Sequence, residues 1–151
     1  MGHHPSKAKI DPQEWRTWLN SPVHMDLNSV PGLTPEAIKK LGTCKLEEDR
    51  ITNTCQLFGK FLMLKGPGHE QSFSEKPNNE VDTFEHMERF WCYLMIRGIN
   101  ENRSTIVRAI AEKSAIFFLD IYDPDDYDDD YTTESSSVSE CMFDADRIRG
   151  I

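Results

Sequence analysis

Residues 30–41, VPGLTPEAIKKL, leave the backbone few choices. Pro31 locks its own φ, and Gly32 permits geometry that other residues resist. Thr34 is a good helix N-cap, and Pro35 suits the first helical position, where its missing N–H is no loss. A tight turn over Pro31-Gly32-Leu33, followed at once by a helix from Pro35 to Leu41, is therefore expected. In that helix Ala37, Ile38 and Leu41 face inward, and Lys39 and Lys40 face outward. Such a turn aims backbone N–H groups outward at a helix start, where an anion such as a DNA phosphate can sit. The pattern points to a binding module rather than an enzyme.

The other helices follow from spacing and punctuation. Asp11 caps a first helix running to about Leu19, with Pro12 at its start and Glu14 completing a capping-box-like pattern. Trp15, Trp18 and Leu19 share one face of it as core anchors. An extended stretch, Ser21 to Ser29, leads into the turn. A third helix spans about Thr54 to Leu64, with Leu57, Phe58, Phe61, Leu62 and Leu64 apolar, and Gly66-Pro67-Gly68 stops it. Residues 66–80 read as an exposed loop. A fourth helix, about Val81 to Arg97, carries Phe84, Met87, Phe90, Trp91, Leu94 and Met95, a stripe wide enough to be central. Gly98 is placed to end it. Asn100 can cap a fifth helix to about Leu119, with Ile106, Val107, Ile110, Ala111, Phe117 and Phe118 apolar. No segment shows sustained β alternation. The expected fold is all-α, a compact five-helix bundle containing a helix-hairpin-helix.

Charge divides the chain. The 151 residues carry a net charge of −9. Residues 1–122 hold 15 Lys and Arg against 16 Asp and Glu, a net of −1, whereas residues 123–151 hold 2 against 10, a net of −8. The expected organisation is a flexible N-terminus (1–10), a helical domain (11–122) and an acidic tail (123–151) that cannot bury a core and is disordered alone. The tail's last residues, CMFDADRIRGI, can dock as an apolar anchor. The length suffices for one domain with a real core. No apolar run approaches the roughly 18 residues of a membrane span, and MGHHPSKAKI lacks the apolar stretch of a secretory signal.

With the helices placed, a resemblance emerges. The runs SPVHMDLNSVPGLTPEAIKKL, QLFGKFLMLK and RFWCYLMIRGINENRSTIVRAIAEK resemble barrier-to-autointegration factor, in the same order and with similar spacing outside the 66–80 loop. The resemblance runs from Trp15 to Phe118. It implies a compact helical bundle with a helix-hairpin-helix, a homodimer that bridges two DNA duplexes without sequence preference, and a groove at the dimer interface for nuclear-envelope proteins. It places phosphate contacts at Gly32, Leu33 and Thr34, with Lys39 and Lys40 nearby, and a second set at Asn102, Arg103 and Ser104. Contacts of this kind touch the DNA backbone, so binding is sequence-independent and salt-sensitive. The family turn has Gly at both ends of its central apolar residue, and here Thr34 stands at the second position. The family has Lys where this chain has Asn102, with Arg103 beside it to supply the charge. The acidic tail is an addition, and it can compete with DNA for the same basic surface, to which Lys45 also belongs.

Other signals receive their simplest readings. MGHHPS fits the pattern for myristoylation of Gly2, with Lys7 and Lys9 as a small basic supplement; one acyl chain alone gives weak membrane association. Asp126, Asp128 and Asp130 have the alternate spacing of a calcium loop, but Tyr131 replaces its Gly and Ser137 its Glu, so a solvated acidic tail is expected. Ser137 and Ser139 lie in an acidic context suited to phosphorylation. Cys44, Cys55, Cys92 and Cys141 form no CxxC pair, and reduced thiols in an intracellular protein, nuclear or cytoplasmic, are expected. His24, His69 and His86 match no nucleophile pattern, and no P-loop or dinucleotide fingerprint is present. No enzyme activity, cofactor or metal is expected. The competing reading is a structural adaptor of a cytoskeletal, ciliary or membrane-associated assembly, working through protein–protein contacts made by the fold and the tail.

Overall fold

The computed structural model describes residues 2–66, 82–118 and 121–127. Five α-helices run through them, with no strand among the described residues: α1 (Pro12–Asn20), α2 (Pro35–Leu41), α3 (Thr54–Met63), α4 (Thr83–Ile96) and α5 (Arg103–Phe117). Short 3-10 turns stand at Pro5–Lys7, Leu27–Ser29, Glu47–Asp49 and Pro124–Tyr127. The fold is an all-α, compact bundle. Among the described residues no helix is long and apolar enough to cross a membrane.

Local chemistry starts most of the helices. The Asp11 carboxylate accepts from the Gln13 and Glu14 N–H groups at 2.9 and 3.3 Å. Asn53 caps α3 through the Gln56 N–H, and Asp82 caps α4 through the Glu85 N–H, both at 2.9 Å. Each such cap contributes about 1 kcal/mol by satisfying an orphan donor. The end of α4 is equally specified. Gly98 takes φ +90, its N–H donates to Met95, and the Ile99 N–H reaches back to Leu94, both at 2.9 Å. Gly98 is the left-handed residue of that motif, and the buried Ile99 seals it.

The core lies between α4 and α5, with α1 and α3 packed on α5. Phe61, Met87, Phe90, Leu94, Ile106 and Ile110 are fully buried. Each contributes about 1.5–3 kcal/mol by leaving water. Phe61 meets Phe90 edge-on at 5.2 Å and stacks on His86 at 4.2 Å. Trp18 is buried and donates its indole N–H to Ala109 at 2.9 Å, while Trp15 sits half-buried at the rim and donates to Glu112 at 3.0 Å. Lys113, 2 % exposed, closes the C-terminal end of α1 by donating to the carbonyls of Trp18, Leu19 and Ser21. A polar residue at an inward α5 position is retained because it satisfies carbonyls that α1 itself cannot pair.

Several expectations change. The N-terminal residues lie against the domain: His3 is 3 % exposed, and the Pro5–Lys7 turn packs on α5. The acidic segment does not begin free at residue 123: Ile121 and Tyr122 are buried, and the Tyr127 ring lies 5.8 Å from Phe84. Asn102, not Asn100, precedes α5. Ser21 to Ser29 is not wholly extended, because Asp26 caps a 3-10 turn at Leu27–Ser29. Phe84, Phe117 and Phe118 fall on the expected apolar stripes yet are exposed, Phe117 by 68 %. For Phe117 and Phe118 the reason is position, since α5 ends at Phe117. Cys92 is disulfide-bonded, so the thiols are not all reduced; Cys44 and Cys55 are free. Most of the 66–80 loop, His69, Cys141, the calcium-like spacing at Asp128 and Asp130, and Ser137 and Ser139 lie outside the described residues.

Candidate functional site

The turn at Val30 to Leu33 forms as its residues dictate. The Leu33 N–H donates to the Val30 carbonyl at 3.2 Å, and Gly32 takes φ +93. Pro31 followed by a left-handed Gly is the chemistry of a type II turn. Tertiary contact adds a second demand: a Cβ at Gly32 would sit 3.0 Å from Ile106 Cγ1 and 3.1 Å from Thr105 Cγ2. The turn is therefore pressed against the start of α5. Leu33 is buried beneath it. Thr34 is turned back on its own helix, its Oγ1 accepting from the Ala37 N–H at 3.1 Å. The backbone N–H groups of Gly32 and Thr34 have no acceptor among the described residues.

The second expected segment lies beside the first. Asn102 Nδ2 donates to the Gly32 carbonyl at 3.3 Å. Because that side chain reaches across to the turn, it does not cap α5, and Asn102 itself adopts φ 61. The first α5 amide to find a backbone acceptor is Ile106, on Asn102 at 3.0 Å. The N–H groups of Arg103, Ser104 and Thr105 have no acceptor among the described residues. Fifteen residues of aligned dipole thus end in unpaired donors.

Cations gather around these donors. The Arg103 guanidinium lies over the Trp91 ring, 3.8 Å from its centroid. Its Nη1 is buried without a partner, and burial lowers its pKa. A guanidinium held by a ring and short of acceptors is primed for an anion. Lys7 and Lys9 arrive from the N-terminal segment, which is tied down by three bonds. Lys9 N–H donates to Thr105 Oγ1 at 2.8 Å, His3 N–H to Glu88 at 2.8 Å, and Arg108 to the Pro5 carbonyl at 3.4 Å. Lys7, Lys9, Trp91, Asn102 and Arg103 line one open cleft of about 600 Å³. His3 Nδ1 lies 3.2 Å from Ser104 Oγ. Burial, with the positive charges of His4, Lys7 and Arg108, pushes the His3 pKa down to about 3, so its ring is neutral.

The expected site residues therefore divide. Gly32 meets Asn102 and the start of α5, Asn102 and Arg103 line the cleft, Leu33 is buried beneath the turn, and Thr34 faces its own helix. Ser104 is also at the cleft, but it is buried, with His3 against its hydroxyl. Lys39 is exposed on α2. Lys40 is already engaged, donating to the Gly98 carbonyl at 2.8 Å. Gly2, the acylation candidate, is folded onto the domain, where a Cβ would overlap the Glu88 carboxylate. Sequence reasoning missed Lys7, Lys9 and Trp91 as members of the site. Lys7 and Lys9 were legible only as a basic supplement to Gly2, because nothing local says which surface an N-terminal segment will cover.

Among the described residues no group of three or more His, Cys, Asp or Glu side chains is placed to hold a metal ion. No family model, curated protein or solved structure matches this chain.

Proposed function

We propose that this chain is a non-enzymatic protein that binds double-stranded DNA without sequence preference, in the manner of barrier-to-autointegration factor. The observation that carries the reading is the contact between two backbone turns, Asn102 donating to the Gly32 carbonyl, with Lys7, Lys9 and Arg103 lining a cleft at the Asn102–Ser104 side. Unpaired amides and cations suit phosphate oxygens. Arg103 supplies the charge that Asn102 lacks. Thr34, the departure from the family's glycine, has its side chain turned into α2 and leaves its N–H free. Bridging two duplexes requires two such surfaces, hence a homodimer.

The test is fluorescence anisotropy with duplexes of about 20 base pairs and unrelated sequence. Three phosphate contacts give a salt slope of about −2.7, so a fourfold rise in salt weakens binding about 40-fold. Equal affinities across sequences and that slope are the expected result. Absence of binding at low salt refutes the proposal, as does affinity that depends on sequence.

One observation favours the adaptor reading. Ile116, Phe117 and Phe118 are exposed together at the end of α5, far larger apolar groups than a DNA surface uses. A partner captured through these residues, with DNA affinity absent, would select the adaptor.

A further inference from the structure

We propose that Met25 Sδ and Cys55 Sγ form a two-sulfur site for a soft monovalent cation, Cu(I). The proposal is independent of the DNA-binding reading and uses none of the residues that line the cleft.

The two sulfurs lie 3.5 Å apart, although their residues are 30 positions apart in the chain. The backbone brings them together. Buried Thr54, the first residue of α3, donates its N–H to the Met25 carbonyl at 3.0 Å and its hydroxyl to the His24 carbonyl at 2.6 Å. Asn53 caps α3 on one side of this contact. On the other, the Asp26 carboxylate accepts from the Asn28 N–H at 2.9 Å and caps the Leu27–Ser29 turn. Hydrogen bonds of their neighbours therefore fix where both residues stand. Core packing does not explain the pair: Met25 is 55 % exposed, and Cys55 is exposed and free of any disulfide.

The chemistry of the pair selects its ligand. Thiolate and thioether are soft donors that favour Cu(I), whereas magnesium and calcium take oxygen ligands. Structural Zn(II) fills four positions with nitrogen, sulfur or carboxylate groups. Cu(I) is satisfied by two or three soft ligands, so it does not need the larger sets of His, Cys, Asp and Glu that the described residues lack. Two sulfurs each about 2.3 Å from a tetrahedral metal stand about 3.8 Å apart. The pair needs to open only slightly, and the flexible methionine side chain supplies the movement.

Binding is a ligand exchange. The Cys55 thiol gives its proton to solvent, and the thiolate and the Met25 thioether each donate an electron pair to the cation. No electron is transferred, because the metal arrives as Cu(I). The bound cation ties the start of α3 to the stretch that leads into the Gly32 turn.

The experiment titrates the full chain with Cu(I) in the absence of oxygen and of thiol reductants, against bicinchoninate as the competing chelator. Cys55→Ser and Met25→Leu are each compared with the unchanged chain, and Cys44→Ser removes the other free thiol. Both test positions are exposed, so the helix content by circular dichroism is expected to stay the same. The expected result is one Cu(I) per chain, with binding weakened about 100-fold or more in Cys55→Ser and at least about tenfold in Met25→Leu, the range that metal sites lose with a supporting group. Cys44→Ser is expected to keep the affinity. In carbon-13 spectra of labelled methionine, the Met25 methyl signal is expected to move on addition of Cu(I), and Zn(II) is not expected to displace the metal. Equal affinity in Met25→Leu and the unchanged chain overturns the proposal, because a single thiol then suffices. A still Met25 methyl signal, loss of binding in Cys44→Ser, or displacement by equimolar Zn(II) overturns it as well.

Discussion

Gly32→Ala tests whether the turn at Val30–Leu33 is held by tertiary contact as well as by local geometry. Two penalties arise there. The backbone sits at φ +93, where an L side chain is strained by about 1–2 kcal/mol. The new methyl also meets Ile106 Cγ1 at 3.0 Å and Thr105 Cγ2 at 3.1 Å, closer than comfortable contact, in a packed region that yields at about 1–3 kcal/mol. Against these, alanine restricts the unfolded chain and returns about 0.4–1 kcal/mol. The expected net loss is about 2–4 kcal/mol. Gly98→Ala is the internal control. Its φ of +90 carries the same strain, but its nearest neighbour is the flexible Lys40 side chain, with Cδ at 3.4 Å. There the expected loss is about 1 kcal/mol. Urea unfolding followed by circular dichroism measures both, and in Tm the gap is about 5–15 °C. Losses of equal size at the two positions would refute the claim that α5 braces the turn. A Gly32→Ala variant that kept its stability would refute the strain argument as well.

Other outcomes follow from the same geometry. His86 is fully buried against Phe61, and its pKa is lowered by burial from 6.5 to about 4. The unfolded chain therefore binds its proton first: stability holds above about pH 6.5 and falls as the pH drops towards 4. Between pH 6.5 and 5 this amounts to about 2 kcal/mol, visible in urea midpoints and absent in His86→Leu. Lys113→Met leaves the carbonyls of Trp18, Leu19 and Ser21 without their donor and is expected to lower stability by about 2–4 kcal/mol in the same assay. Arg103→Ala is expected to flatten the salt slope for DNA by about 1 without creating base preference, measured by anisotropy on unrelated duplexes; an unchanged slope would remove Arg103 from the site. Iodoacetamide under non-reducing conditions is expected to label Cys44 and Cys55 and to spare Cys92, read by peptide mapping.

Much of the fold was legible because its signals are local. Asp11, Thr34 and Gly98 act through the residues next to them, and all three hold the positions their chemistry predicts. Asn100 misled because the residue before α5 is Asn102, whose side chain reaches across to the Gly32 carbonyl and so does not cap the helix. Phe84 misled because periodicity counts apolar residues without knowing which find a neighbour. Lys113 and His86 are the converse: polar residues that a stripe would place outside, buried because the Trp18 and Phe61 carbonyls await donors.

The sequence by itself determined the helices, their caps, the turn at Gly32 and the division between a near-neutral domain and an acidic segment. These depend on dihedral preference, hydrophobic period and charge, which act over a few residues. Only the tertiary structure decided that Gly32 faces Thr105, that the N-terminal segment brings Lys7 and Lys9 to Arg103, and that Tyr127 lies against His3 and His4. These are contacts between residues some seventy to more than a hundred positions apart, and they exist only once helix packing has chosen which surfaces meet. The turn at Gly32 is specified by its own residues, and the cleft beside it by the fold.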